Sequence, residues 1–460
     1  MRAIRKSLVS LSALAVLAAA PAMAEEGGST QALDDALAAG YKAAFICSST
    51  FNAGQTLEEI RQNELSGIYP DYQRSFDKLP DAMIDPARKL VSVTYSNTMP
   101  PRMAAWRPGF GCTQLPIGAE EGALNFLPRF AAWPDFSGED RGSAIGSNVK
   151  VQLRIEEAER LEAPVSFAFD ERTYGNGTRT SAVVVVKDGQ VVAERYARGI
   201  DHETPQRTWS VAKSISATIL GAARRNGHID LDYPAVIADW NNGADPRREI
   251  TLRDLMQMAS GLDSGEEGSR TDRIYFGGGR VVDQAAWNGD FVSSSQVWST
   301  ARDLARVGQL YLQDGVWGNE RLLPEGWAQF VATPGPAQPT SGPGYGAQFW
   351  LMNHAEGIPA GTYYMAGNRG QYVVIVPSMN AVIVRRGFDV IGGARFDIAS
   401  FTRDALMALQ AADDVRAGEA AERAQIEAEI ETTIEARRAR SDRAKDAIRA
   451  EILAKYGREE

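Results

Sequence analysis

Thr208-Trp209-Ser210-Val211-Ala212-Lys213-Ser214 is the stretch on which the reading of this chain turns. A serine hydroxyl is a weak nucleophile until a nearby base removes its proton, and a lysine serves as that base when burial lowers its pKa. Residues three apart share one face of a helix, so a helix opening at Ser210 brings Lys213 within reach. Val211, Ile215, Ile219 and Ala222 or Ala223 recur every three to four residues until Asn226-Gly227, which predicts that helix and buries it. Its N-terminus also favours negative charge developing beside the serine. The same spacing occurs at Ser75 to Lys78 and Ser147 to Lys150, but the first lies in a polar stretch before Leu79-Pro80 and the second follows a Gly-Ser-rich loop. Both read as surface lysines, and Ser210 is the candidate nucleophile.

Upstream, Ser181 to Val186 is a β-branched run, Asp188-Gly189 a tight-turn dipeptide and Val191 to Tyr196 a second strand-like run, together a β-hairpin. Downstream, residues 251–260 and 300–313 read as helices, with Thr251 and Thr300 as N-cap or first-turn residues. Strand patterns return at Gln348 to Met352, Thr362 to Ala366, Gln371 to Val376 and Ala381 to Arg386, and Phe396 to Leu409 has helical spacing. Strands early and late with helices between predict an α+β fold: one antiparallel sheet built from both ends, flanked by helices, with an all-helical insertion. From Asp413 to Glu460 an Ala, Glu and Arg composition with Ile426, Ile430, Ile434, Ile448 and Ile452 at helical offsets predicts a long amphipathic helix. It reads as a solvated helix packed along one stripe, or as a self-association or partner-binding element.

Arg2, Arg5 and Lys6, then an apolar run from Leu8 to Ala20 and Ala22-Met23-Ala24, read as a signal peptide over 1–24. A periplasmic or secreted protein is the expectation, and no later stretch reaches the roughly 18 apolar residues of a spanning helix. The expected division is then 25–175 as an N-terminal region without strong periodicity, 176–412 as the domain that carries the Ser210 segment and 413–460 as a helical tail. Cys47 and Cys112 could close a disulfide in an oxidising compartment or lie as two buried thiols. A net charge of −10 argues against nucleic-acid binding. Three histidines without a Cys-x-x-Cys pattern give no reason to expect a metal or other cofactor.

The serine-lysine segment, preceded by the hairpin from Val183 to Tyr196, resembles the β-lactamase-related serine hydrolases. The resemblance extends through Asp254 to Leu262, Ser299 to Arg306 and Ala366-Gly367-Asn368-Arg369-Gly370-Gln371-Tyr372, covering roughly 175–410. The subgroup similar to class C enzymes, penicillin-binding proteins and 6-aminohexanoate-dimer hydrolase fits best. The resemblance implies a small-molecule amide or ester substrate and an acyl-enzyme on Ser210, with the oxyanion held by the backbone amides of Ser210 and Asn368. Gly367 would let the backbone approach the substrate. Ala366-Gly367-Asn368 stands where the family often has Lys-Thr-Gly or His-x-Gly, and Arg369 is the candidate replacement cation.

One family motif is missing. A Tyr-x-Asn motif normally assists proton transfer, but the interval from Gly261 to Ser299 is short and holds Tyr275 without it. Tyr95-Ser96-Asn97 matches in letters but lies in the wrong region. Tyr275, Trp298 and Tyr345 are candidate cleft residues, while Asp263, Glu266 and Glu267 read as a solvated loop. The competing reading is a noncatalytic envelope protein that keeps the fold to bind a ligand or cell-wall fragment. No Gly-x-Ser-x-Gly elbow supports an unrelated Ser-His-Asp hydrolase.

Overall fold

The computed structural model describes residues 26–68, 70–129, 150–151, 155–235, 237, 240, 242–262, 294–295, 297–339, 341–352 and 355–456. Its centre is an eight-stranded sheet in the order Gly344–Tyr345, Trp350–Leu351, Tyr363–Gly367, Gln371–Val376, Ala381–Gly387, Thr180–Lys187, Gln190–Tyr196, Lys150–Val151. All neighbours are antiparallel except the last pair. The expected closure from both ends is present: Val384 pairs with Val184 and Ala381 with Lys187. Asp188 and Gly189 take φ of 53° and 73°, the positive values a two-residue hairpin turn requires.

Helices cover both faces, which is why Ala182 to Val186 is apolar without alternation. Val184 and Val186 face a core with the helices Val211–Arg225 and Ala301–Leu312, whereas Val183 and Val185 face the helix Ile155–Ala168 and the start of the C-terminal helix. Thr251 and Thr300 cap their helices as expected, accepting hydrogen bonds from the amides of Asp254 and Asp303.

The N-terminal region is more ordered than its sequence suggests. A helix over Glu26–Phe51 packs on a four-stranded antiparallel meander, Met83–Asp85, Leu90–Val93, Arg102–Arg107 and Gly111–Gln114, around its own core. Ala36 to Cys47 is buried on most sides, so the helix shows little polar face and little periodicity. A disulfide ties Cys47 on this helix to Cys112 on the last strand, with a Cα to Cα distance of 6.1 Å. This unit spans 26–129. The helix Ile155–Ala168, placed by sequence in the same region, instead packs on the large sheet because Leu161 and Val165 complete its outer core.

At the other end, the two predicted helical segments are one continuous helix, Ile398–Tyr456. Phe401, Ala405, Leu406, Leu409 and Ala412 bury its first turns against the sheet, and residues 417–455 are all exposed. Among the described residues, no helix is long and apolar enough to cross a membrane.

Candidate active site

Ser210 stands at the N-cap of the helix Val211–Arg225, and Lys213 Nζ lies 3.0 Å from its Oγ. Lys213 Nζ also donates to the Ser294 carbonyl at 2.9 Å, so its amino end is fixed from two directions. The preceding residue, Trp209, is buried with φ of 49°. A bulky residue rarely adopts that conformation, and such backbone strain persists only where surrounding contacts enforce it.

Those contacts come from the N-terminal unit. The Arg207 guanidinium stacks 3.5 Å above the Trp209 ring and 4.0 Å from Phe45, and donates to the Tyr41 hydroxyl at 3.1 Å. The strand Gln206–Arg207 is held from behind by Arg386, which donates to the carbonyls of Gln206 and Arg207 at 2.9 and 3.0 Å. Glu64 is buried nearby. Burial pushes its carboxyl above the ordinary range, against the pull of Arg369, Arg207 and Arg386.

The serine and lysine open onto a cleft of about 400 Å³ lined by Met258, Pro339, Tyr345, Gln348, Trp350 and Ala366. Gln348 links its walls: with φ of 64° it accepts from Ser214 Oγ through its carbonyl at 2.6 Å and donates through Nε2 to the Met256 carbonyl at 2.8 Å. Tyr345 donates to Gln348 Oε1 at 3.3 Å. Burial pushes its phenol up to about 12, so it is neutral at physiological pH. The lining is chiefly apolar with few polar groups, the character of a small-molecule site.

Gly367 ends its strand against the nucleophile turn. A Cβ there would lie 2.5 Å from the Thr208 carbonyl oxygen and 3.1 Å from the Ser210 nitrogen, so only glycine allows this approach. Asn368 begins the following turn, in which Arg369 and Gly370 have φ of 60° and 77°.

Arg369 corrects the sequence reading. It is buried and turned from the cleft, donating to the carbonyls of Asn63 at 2.6 Å, Ser66 at 2.7 Å and Asp389 at 3.0 Å. It clamps the N-terminal unit to the sheet and does not stand in for the family cation. Trp298 is likewise elsewhere, paired with Arg207 in a short strand ladder rather than lining the cleft. Tyr275 and the acidic residues Asp263, Glu266 and Glu267 lie outside the described residues, as does Ser147. Ser75 donates to Asp35 and Lys78 is exposed, consistent with a surface lysine. Tyr95 packs on the N-terminal core. Among the described residues no cluster of His, Cys, Asp or Glu is arranged to hold a metal.

Sequence reasoning missed Gln348 and Arg207. Nothing local marks Gln348, whose role follows from a positive φ. The Arg-x-Trp spacing beside Ser210 was the available signal for Arg207.

Residues 168–276 match the family model described as Beta-lactamase. Over 290 residues, 45% of this chain and 72% of the relative, the sequence is 24% identical to a 6-aminohexanoate-dimer hydrolase of Paenarthrobacter ureafaciens. Similar solved structures include a penicillin-binding protein homologue from Caulobacter crescentus (11% identity, TM-score 0.39, 55% of this chain and 98% of that one). A class C β-lactamase is also similar (11% identity, TM-score 0.39, 56% and 99%). The segment matched to that model contains the Ser210-Lys213 pair, and over it the chain is similar to the β-lactamase-related hydrolases.

Proposed function

We propose that this protein is an exported serine hydrolase that cleaves an amide or ester bond of a small molecule through an acyl-enzyme on Ser210. The observation that carries the reading is Lys213 Nζ at 3.0 Å from Ser210 Oγ on the wall of an apolar cleft. With Lys213 neutral, its lone pair takes the hydroxyl proton as Oγ bonds to the substrate carbonyl carbon. The oxyanion is received by the backbone amides of Ser210 and Asn368, a placement favoured by the packing of Gly367 against the Ser210 amide and by the helix N-terminus. Collapse passes the lysine proton to the departing nitrogen or oxygen. Water then attacks the ester on Ser210, giving up a proton to Lys213, and Lys213 returns that proton to Ser210 Oγ as the C–Oγ bond breaks and the acid leaves. The Ser294 carbonyl accepts from Lys213 and keeps its nitrogen aimed at Ser210.

Intact-mass spectrometry after incubation with a fluorophosphonate tests this. A single adduct, lost in Ser210→Ala and in Lys213→Ala, is the expected result. Unmodified wild-type protein would sink the acyl-enzyme reading and leave the noncatalytic binding protein in its place.

A further inference from the structure

We propose that the C-terminal helix is the dimerisation arm of this protein, pairing antiparallel with the same helix of a second copy about a two-fold axis at Ala439. Residues 417–455 leave the body as exposed helix, roughly 60 Å long at about 1.5 Å per residue. A solitary solvated helix has no use for isoleucines gathered on one face in two patches, Ile426 to Ile434 and Ile448 to Ile452, on either side of Arg437 and Ser441. Yet Ile426, Ile430, Ile434, Ile448 and Ile452 are between 44% and 58% accessible.

The stripe has an order that selects the partner. At about 100° per residue, positions 426, 430, 434, 437, 441, 444, 448 and 452 all fall within a sector roughly 80° wide. That set reads the same in both directions about residue 439. In an antiparallel pair Ile426 meets Ile452 of the second copy, Ile430 meets Ile448, Ile434 meets Ala444 and Arg437 meets Ser441. A self-complementary patch of this kind is what a two-fold dimer requires.

Charge fixes the direction. Residues 413–435 carry eight acids and two bases, whereas 436–456 carry seven bases and three acids. Glu427, Glu431, Lys445 and Arg449 share one edge of the stripe. Antiparallel pairing sets the glutamates of one copy beside Arg449 and Lys445 of the other. Parallel pairing sets like against like, which opposes it. The arms meet beyond Arg416, so neither cleft is covered by the contact itself.

The test is sedimentation of the full chain together with directed crosslinking. Wild-type protein is expected at twice the monomer mass, and Ile430→Asp with Ile448→Asp at the monomer mass while still labelling at Ser210. A chain ended after Arg416 should also be monomeric with unchanged labelling. The sequence has two cysteines, both in the Cys47 to Cys112 disulfide, so an introduced cysteine is the sole free thiol. Glu431→Cys and Arg449→Cys proteins should crosslink when mixed and oxidised, and neither should crosslink alone. Self-crosslinking of either single variant would overturn the antiparallel register. A wild-type monomer at tens of micromolar would overturn the proposal, whatever the outcome at Ser210.

Discussion

Residues 26–129 and 413–456 both lie outside the matched segment 168–276, but they are joined to the body of the large sheet by opposite physics. The N-terminal unit sends Phe45 and Tyr41 onto Arg207, and receives Arg369 on the carbonyls of Asn63 and Ser66. These contacts are buried or part-buried, and each touches a turn adjoining Ser210. The C-terminal helix is fastened by its first four turns and then leaves, its last firm tie being the Arg416 to Glu157 ion pair. One addition is built into the site and the other is held away from it. A segment whose charged groups are buried against a core cannot move without stranding them, whereas an exposed helix can be removed without desolvation cost to the body. The N-terminal unit is therefore placed to act on the surroundings of Ser210, and the helix to act away from them.

The sharpest way to break that comparison is to loosen the N-terminal unit. Replacing both Cys47 and Cys112 by alanine frees a loop of 65 residues, and the chain-entropy relation gives a loss of about 4 kcal/mol. Urea unfolding followed by circular dichroism measures it, and a loss below about 1 kcal/mol would show that the unit holds itself together by other means. Next comes Arg207→Leu, which removes the plate between Phe45 and Trp209. We expect the maximal rate of fluorophosphonate labelling at Ser210 to fall roughly 10- to 100-fold, with the half-saturating probe concentration little changed. Arg207→Lys should rescue little, since an ammonium does not stack as a planar guanidinium does. Unchanged labelling would mean that the strained Trp209 is held without the N-terminal unit.

The smallest effect is a pH slope. Glu64 has a folded pKa raised by burial, so its contribution to stability is fully present below its unfolded pKa and is lost as pH rises through the folded value. Wild-type protein should lose stability across that window relative to Glu64→Gln, which cannot ionise. Parallel stability curves for the two proteins would count against a burial-raised carboxyl at this contact.

Much of the sheet was legible because its signals are local. Asp188-Gly189 between two β-branched runs specifies a hairpin, and Thr251 and Thr300 announce their helices by capping chemistry. The helix Glu26–Phe51 escaped notice because burial on most sides removes the polar face that periodicity depends on. Arg369 misled for a different reason. Its neighbour Gly367 does abut the nucleophile turn, but a positive φ and three distant carbonyls carry the guanidinium the other way. No window of sequence around residue 369 contains Asn63 or Ser66.

The sequence by itself determined the pairing of Ser210 with Lys213, since a three-residue spacing on one helix needs no tertiary contact to put the two side chains together. It likewise determined the β-branched strands and the helical spacing of the isoleucines, both set by patterns of a few residues. Only the tertiary structure decided that Arg207 and Arg369 tie the N-terminal unit to the site, that Gln348 joins the cleft walls and that the isoleucines remain bare. Those outcomes depend on which surfaces meet after long-range closure, and burial, not spacing, decides what a charged or apolar side chain does there.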